Sequence, residues 1–252
     1  MNHSDYRATF AERGGAYDDA MTAEPHARDE EFAFVLGVAD LHGPCRLLAA
    51  PAGGGYLADR LPSGVDYVAL ESAPSFAARC RDRGLTVIED DLAAPTVAAH
   101  SFDVIVSVAG LHHEPDLTAL LTAWRRVLRP GGRLVVADVA ADSPVASFLD
   151  GFVGLHNGIG HAGNYLGADL AERVADAGFS EPRVIDGTYH WWFRDEPALV
   201  GYCRHLFDID GPTDADVLAA VREHLGIETG VDGRAGLRWG LRAVVATAPA
   251  AD

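Results

Sequence analysis

Residues 101–139 read SFDVIVSVAGLHHEPDLTALLTAWRRVLRPGGRLVVADV, and their pattern decides the fold. FDVIVSV is a short β-branched run of strand length, and GRLVVADV is another. Between them LTALLTAWRRVL repeats its apolar residues at helical spacing. Arg125 and Arg126 close that helix, and Pro130, Gly131 and Gly132 stop it. A strand, a crossover helix and a second strand make a βαβ unit, which places the two strands parallel.

The same alternation extends toward the N-terminus. CRLLAA (45–50), DYVALE (66–71) and LTVIED (85–90) are three further apolar runs, with the helix-like APSFAARCRDRG (73–84) between the second and third. Such runs are buried on both faces, so the expected core is an α/β, doubly wound, mostly parallel sheet. The first forty residues read as helical, with Phe32, Val35, Leu36 and Val38 on one face and Pro25 near a helix start. Beyond Ala140, residues 141–165 read as a partly helical cover segment and 166–179 as an amphipathic helix. PRVIDGTYHWWF (182–193) and LRWGLRAVVATA (237–248) read as strands that pair antiparallel at the sheet edge, flanking two helices within 195–227. The expectation is one seven-stranded domain over 1–252. N-terminal helices (1–44) precede a cofactor-binding core (45–140), and cover segments with the last strands follow (141–252).

The 252 residues carry a formal charge of -17 and no lysine. An acidic chain is repelled by phosphate backbones and anionic lipid, so no nucleic acid and no membrane is expected as partner. Cys45, Cys80 and Cys203 are odd in number and lack ligand spacing, which reads as free thiols in a reducing compartment. No apolar leader or spanning segment is evident, and a cytoplasmic location is expected.

In an open parallel sheet, ligands bind beyond the carboxyl ends of the strands. APAGGG (50–55) ends the first strand there. Its glycines permit close backbone approach, and the following helix start offers N–H groups. Glu71 ends the next strand, placed for two ribose hydroxyls or as an ordinary helix cap. Asp90 and Asp91 end the third, and His112 and His113 follow the fourth.

Taken together, residues 45–139 resemble the core of a class I methyltransferase that uses S-adenosylmethionine (SAM). The matching series is the glycine loop 51–55, Glu71, DDL (90–92), SFDVIVS (101–107) and the string 111–139 with its RVLRPGG turn. The resemblance implies a Rossmann-like fold, SAM as cofactor and S-adenosylhomocysteine as product. It implies that Ala50, Pro51, Ala52 and Gly53 face the methionine moiety and that Glu71, with Ser72, holds the ribose. Asp91 and Leu92 would meet the adenine, with Asp90 as the alternative acid, and Val108 would lie near the SAM backbone. GGAYDDAM (14–21) resembles the family's lid helix, which makes Tyr17 a candidate contact. Two positions depart from the pattern: Ala49 stands where an acid is usual, and Pro51 where a glycine is usual.

Methyl transfer needs an aligned acceptor and, for a protonated nucleophile, a base. His113 and His112 are candidates at the pocket rim, as is His161; paired histidines here also read as pocket-shaping groups. His156 and His161 in LHNGIGHAGNY (155–165) read as loop polar groups, acceptor contacts or bases. No third ligand or carboxylate at metal-binding spacing is evident, so no metal is expected. His156, Tyr165, Trp191 and Trp192 are the candidate acceptor-side residues, and strand alternation sends the two tryptophans to opposite faces. Arg28 reads as a surface ion-pairing residue or a carboxylate contact. The function these features favour is O-methylation of a small-molecule acceptor, in bacterial secondary metabolism on the strength of the lysine-free composition. The alternative is a SAM-binding enzyme of this fold that runs a cyclisation, isomerisation or decarboxylation. A homodimer is an admissible assembly.

Overall fold

A computed structural model describes residues 6–250. Helices α1 (Tyr6–Ala23) and α2 (Asp29–Ala39) precede strand β1 (Cys45–Ala49). Then follow β2 (Val65–Glu71), α3 (Pro74–Asp82), β3 (Thr86–Glu89), β4 (Phe102–Val108), α4 (Leu117–Val127) and β5 (Leu128–Asp138). The cover segment consists of α5 (Pro144–Phe148), a π-helical turn (Leu149–Val153) and α6 (Gly154–His156). It leads through a loop to α7 (Leu170–Asp176) and β6 (Ser180–Phe193). The chain closes with α8 (Glu196–Phe207), α9 (Asp214–His224), β7 (Ile227–Thr229) and β8 (Ala235–Thr247).

The strands form one sheet in the order β3-β2-β1-β4-β5-β8-β6. β1 to β5 are parallel, whereas β8 pairs antiparallel with β5 and with β6. The seven expected strands are all present, and the three-residue β7 adds an eighth by pairing with β8. Strand order reverses between β1 and β4, which is where a crevice opens at the strands' carboxyl ends.

Alternation along the strands fills two cores. Leu47 and Ala49 of β1, with Val135 and Ala137 of β5, face the cluster built with α2, the cover segment and α8. Leu48, Val136 and Leu134 face the other, with Leu120, Leu121 and Trp124 of α4, Leu170 and Val174 of α7, and Tyr6 and Phe10 of α1. α4 shows why its sequence folds as it does. The Asp116 carboxylate accepts from the Ala119 N–H at 3.0 Å, and Arg125 and Arg126 lie in the last turn. Its apolar stripe is anchored by Trp124, whose indole N–H donates to the Leu92 carbonyl at 2.9 Å. No helix among the described residues is long and apolar enough to cross a membrane.

Candidate active site

Two adjoining cavities lie over the carboxyl ends of β1 and β4. The first is lined by Ala49, Pro51, Ala52, Gly53, Val108 and Ala109 from the strand ends, and by Tyr6, Phe10, Tyr17 and Arg28 from the N-terminal helices. Gly110 lets the two strand-end loops meet, because a Cβ there would lie 2.6 Å from Pro51 Cγ. The second cavity is lined by His112, His113 and His161, with Trp191, Phe207 and Trp239 as its aromatic walls. Phe10, Tyr17, Arg28 and Ala109 line both.

Glu71 is fully buried at the end of β2. Its Oε2 accepts from the Gly53 N–H at 2.8 Å and the Tyr6 hydroxyl at 3.0 Å, and its Oε1 accepts from the Ala73 N–H at 2.7 Å. Burial pushes its carboxyl up to about 7, partly offset by the donors Ala73, Tyr6 and Gly53. Ser72 is buried beside it, and its hydroxyl has no hydrogen-bond partner. The first turn of α1 therefore covers this acid.

The histidines converge because of one carboxylate and one loop. Asp138, fully buried at the end of β5, accepts from the N–H groups of Leu111, His112 and Val139 and from His112 Nδ1 at 2.7 Å. Those donors hold the Asp138 carboxyl below its usual range against the desolvation of burial. An ionised Asp138 makes His112 Nδ1 the donor in this contact. The loop carrying His161 is tied down by Asn164, whose N–H donates to the His112 carbonyl at 2.8 Å and whose amide donates to the Glu114 carbonyl at 3.0 Å. His161 Nδ1 lies 3.1 Å from Asp150 Oδ1, and Asp150 also accepts from the Tyr165 hydroxyl. Burial lowers His161 to about 4 and His113 well below its usual value, and the neighbouring histidines add to both shifts. Both rings are thus neutral near pH 7.

Arg28, which the sequence offers as a surface group or carboxylate contact, is buried instead. Its Nε donates to Glu31 Oε1 at 2.9 Å, its Nη2 reaches the same oxygen, and its Nη1 donates to Tyr17. Glu31 Oε2 accepts from the Tyr189 hydroxyl at 3.2 Å and Trp191 Nε1 at 3.1 Å. The Arg28-x-x-Glu31 spacing at the start of α2 was the available signal. Tyr6, Phe10, Arg13, Phe207 and Trp239 also line the cavities without having been singled out by the sequence.

Several candidates lie apart from these cavities. Ala50 turns into the opposite core with Leu48, and Leu92 is a core residue whose carbonyl serves Trp124. Asp90 is committed to its own loop, accepting from the N–H and hydroxyl of Thr96. Asp91 is exposed and caps the Ala93 N–H at 2.8 Å. Trp192 points away from its neighbour Trp191, as strand alternation requires, and donates to Glu30 at 2.7 Å. His156 packs on Phe152 at the far end of α6, outside the histidine cavity. Tyr165 stands behind His161, bonded to Asp150, and contributes to a different surface depression.

The comparisons agree with this geometry. Residues 48–136 match the family model described as a methyltransferase domain. The ubiquinone biosynthesis O-methyltransferase of Xanthomonas oryzae pv. oryzae is 32% identical over 114 residues, which are 41% of this chain and 46% of that protein. A solved SAM-dependent methyltransferase of Thermotoga maritima superposes with a TM-score of 0.65 at 16% identity, covering 96% of this chain and 99% of the other. The [4+2]-cyclase SpnF shares the fold at a TM-score of 0.57 and 20% identity, covering 88% and 81%. The chain spans less than half the length of several curated relatives it matches. Residues 48–136 thus match a methyltransferase domain, and the whole chain has the fold of solved SAM-dependent methyltransferases.

Removing one partner of a buried ion pair strands the other. Glu31→Gln is therefore expected to destabilise the protein by about 3–5 kcal/mol, read from the urea unfolding midpoint. The double substitution Arg28→Met with Glu31→Leu is expected to recover much of that loss; no recovery would mean that Glu31 acts through Tyr189 and Trp191 alone.

Proposed function

We propose that this chain transfers the methyl group of SAM to a small-molecule acceptor, with a hydroxyl as the favoured nucleophile. The carrying observation is the wall shared by the two cavities: a strand-end cavity beside Gly53 adjoins a cavity lined by three histidines and aromatic rings. The residues fit the cofactor. Ser72 offers a buried hydroxyl without a partner, Glu71 offers a carboxylate, and no atom lies within 4 Å of where a side chain at Gly53 would project. When bound, SAM supplies an electrophilic methyl on a sulfonium that already contains its leaving group.

The chain's own residues have three tasks. Glu71, Ser72 and the backbone at Ala52 and Gly53 bind the cofactor, with Tyr17 and Arg28 at the wall toward the acceptor. Trp191, Phe207 and Trp239 enclose an apolar or aromatic acceptor body and exclude water. Ring nitrogens of His112, His113 and His161 converge where a hydroxyl proton has to leave, and His113 and His161 are the neutral bases among them. Such an acceptor fits a small molecule of bacterial secondary metabolism, and the acidic surface disfavours nucleic acid. Labelled-methyl incorporation into a phenol or alcohol panel, with S-adenosylhomocysteine released in equal amount, is the expected result. Product formed without S-adenosylhomocysteine would instead support the non-methylating alternative.

Two further outcomes follow for cofactor binding. A carboxyl raised to about 7 is protonated in the free protein at lower pH, whereas ribose hydroxyls donate to the carboxylate. SAM affinity is therefore expected to rise with pH and level off above about 7, by up to about tenfold per unit below that point. Glu71→Gln is expected to weaken binding and flatten the profile in calorimetric titrations. Tyr6→Phe removes the hydroxyl that competes for Glu71. It is expected to tighten SAM binding by about two- to tenfold, matching the roughly 0.5–1.5 kcal/mol of a net hydrogen bond; an unchanged or weaker affinity would mean that Tyr6 need not give way to the ribose.

A further inference from the structure

His112, His113 and His161 come from two loops far apart in sequence, yet one ring nitrogen from each lies within 4.8 Å of the others. Their ring centroids are separated by 4.2 Å, 5.5 Å and 5.4 Å. We propose that these three imidazoles form a binding site for one divalent transition-metal ion, of the zinc or cobalt kind, at the floor of the acceptor cavity.

Four observations carry the assignment. First, the donor set is three imidazoles, which suit zinc, copper, iron and nickel rather than magnesium or calcium. Second, two of the rings are already backed as metal-ligating histidines are. His112 Nδ1 is held by Asp138 at 2.7 Å and His161 Nδ1 by Asp150 at 3.1 Å, so each presents its Nε2 inward. Third, no hydrogen bond among the described residues engages the ring of His113, which is packed edge-on against Phe10 and Tyr6. Fourth, the charges balance. Arg13 lines the same cavity and donates to the Leu206 carbonyl, and its positive charge opposes a cation there. Asp138 and Asp150, directly behind the ligands, provide two negative charges against it, and Asp208 offsets Arg13 itself.

The geometry needs only a small closure. Nitrogens bound tetrahedrally at ~2.0–2.1 Å from zinc lie about 3.4 Å apart. A contraction of up to about 1.4 Å therefore completes the site, and the His161 loop, which carries Gly158, Gly160 and Gly163, has the backbone freedom to supply it. Three protein ligands leave the fourth position open toward the aromatic walls. That position would hold an oxygen of the acceptor, a detail that rests on the acceptor-cavity function proposed above; the three-histidine site itself does not.

The test uses the full chain, freed of any affinity tag and stripped with chelator, titrated with Co²⁺ and separately with Zn²⁺. One Co²⁺ per chain with the visible bands of a tetrahedral nitrogen site is expected, displaced by Zn²⁺. His113→Ala and His161→Ala are expected to abolish those bands, while His156→Ala, outside the cavity, retains them. Asp150→Asn alters a half-exposed side chain and is a second variant that does not disturb the core. It is expected to weaken Zn²⁺ binding by about 10–100-fold. Absence of a stoichiometric Co²⁺ spectrum would overturn the proposal, as would bands that survive both His113→Ala and His161→Ala. Calorimetry of SAM on the same metal-free protein keeps the two questions apart. SAM binding without Co²⁺ binding refutes the metal site alone, and Co²⁺ binding without SAM binding refutes the cofactor function alone.

Discussion

The buried pair between Arg28 and Glu31 is the constraint on which both cavities depend. Both charges are buried, so each must be satisfied internally, and the further donors and acceptors are drawn from two other elements, α1 and β6. Arg28 reaches Tyr17 of α1, while Glu31 of α2 receives Tyr189 and Trp191 of β6. The pair therefore locks the N-terminal helices onto the late strands. Arg28 also lies 5.1 Å from the centre of the Trp191 ring, so one guanidinium forms wall for both cavities together. A buried pair adds little net stability compared with an apolar replacement. What it supplies here is position.

Asp138 performs the equivalent task on the histidine rim. A strand-end carboxylate that collects three backbone N–H groups cannot be displaced cheaply, and His112 inherits its orientation from that network. Asn164 then brings the cover segment down on the same turn. The histidine cavity is thus assembled from β4, β5 and the loop before α7, which no local pattern connects. Ala49 and Pro51, the departures in the first loop, line the cofactor-side cavity without a carboxylate of their own.

Much of the fold was legible because strands buried on two faces are continuous apolar runs, and helices announce their ends. Seven strands, their mostly parallel order and the antiparallel edge followed from that rule. β7 escaped notice because three residues cannot display a period, and it exists only by pairing with β8. At the site, Pro51, Ala52, Gly53, Val108, Tyr17, His112, His113, His161 and Trp191 do line the two cavities. Asp90, the alternative to Asp91 in the string DDL, is captured by Thr96, a local bond invisible to spacing. Trp192 and His156 carry suitable chemistry on the wrong side of their elements.

The sequence by itself determined the class: the order of runs, the glycine loop, Glu71 and the RVLRPGG turn are local patterns, and local patterns are what periodicity and backbone chemistry write into a chain. Only the tertiary structure decided which polar groups meet. Tyr6 lies 65 residues from Glu71, Trp191 lies 160 from Glu31, and Asp138 lies 26 from His112. Those contacts exist because burying a charge obliges the fold to find it partners, and the partners come from whichever elements the sheet brings near, not from neighbours along the chain.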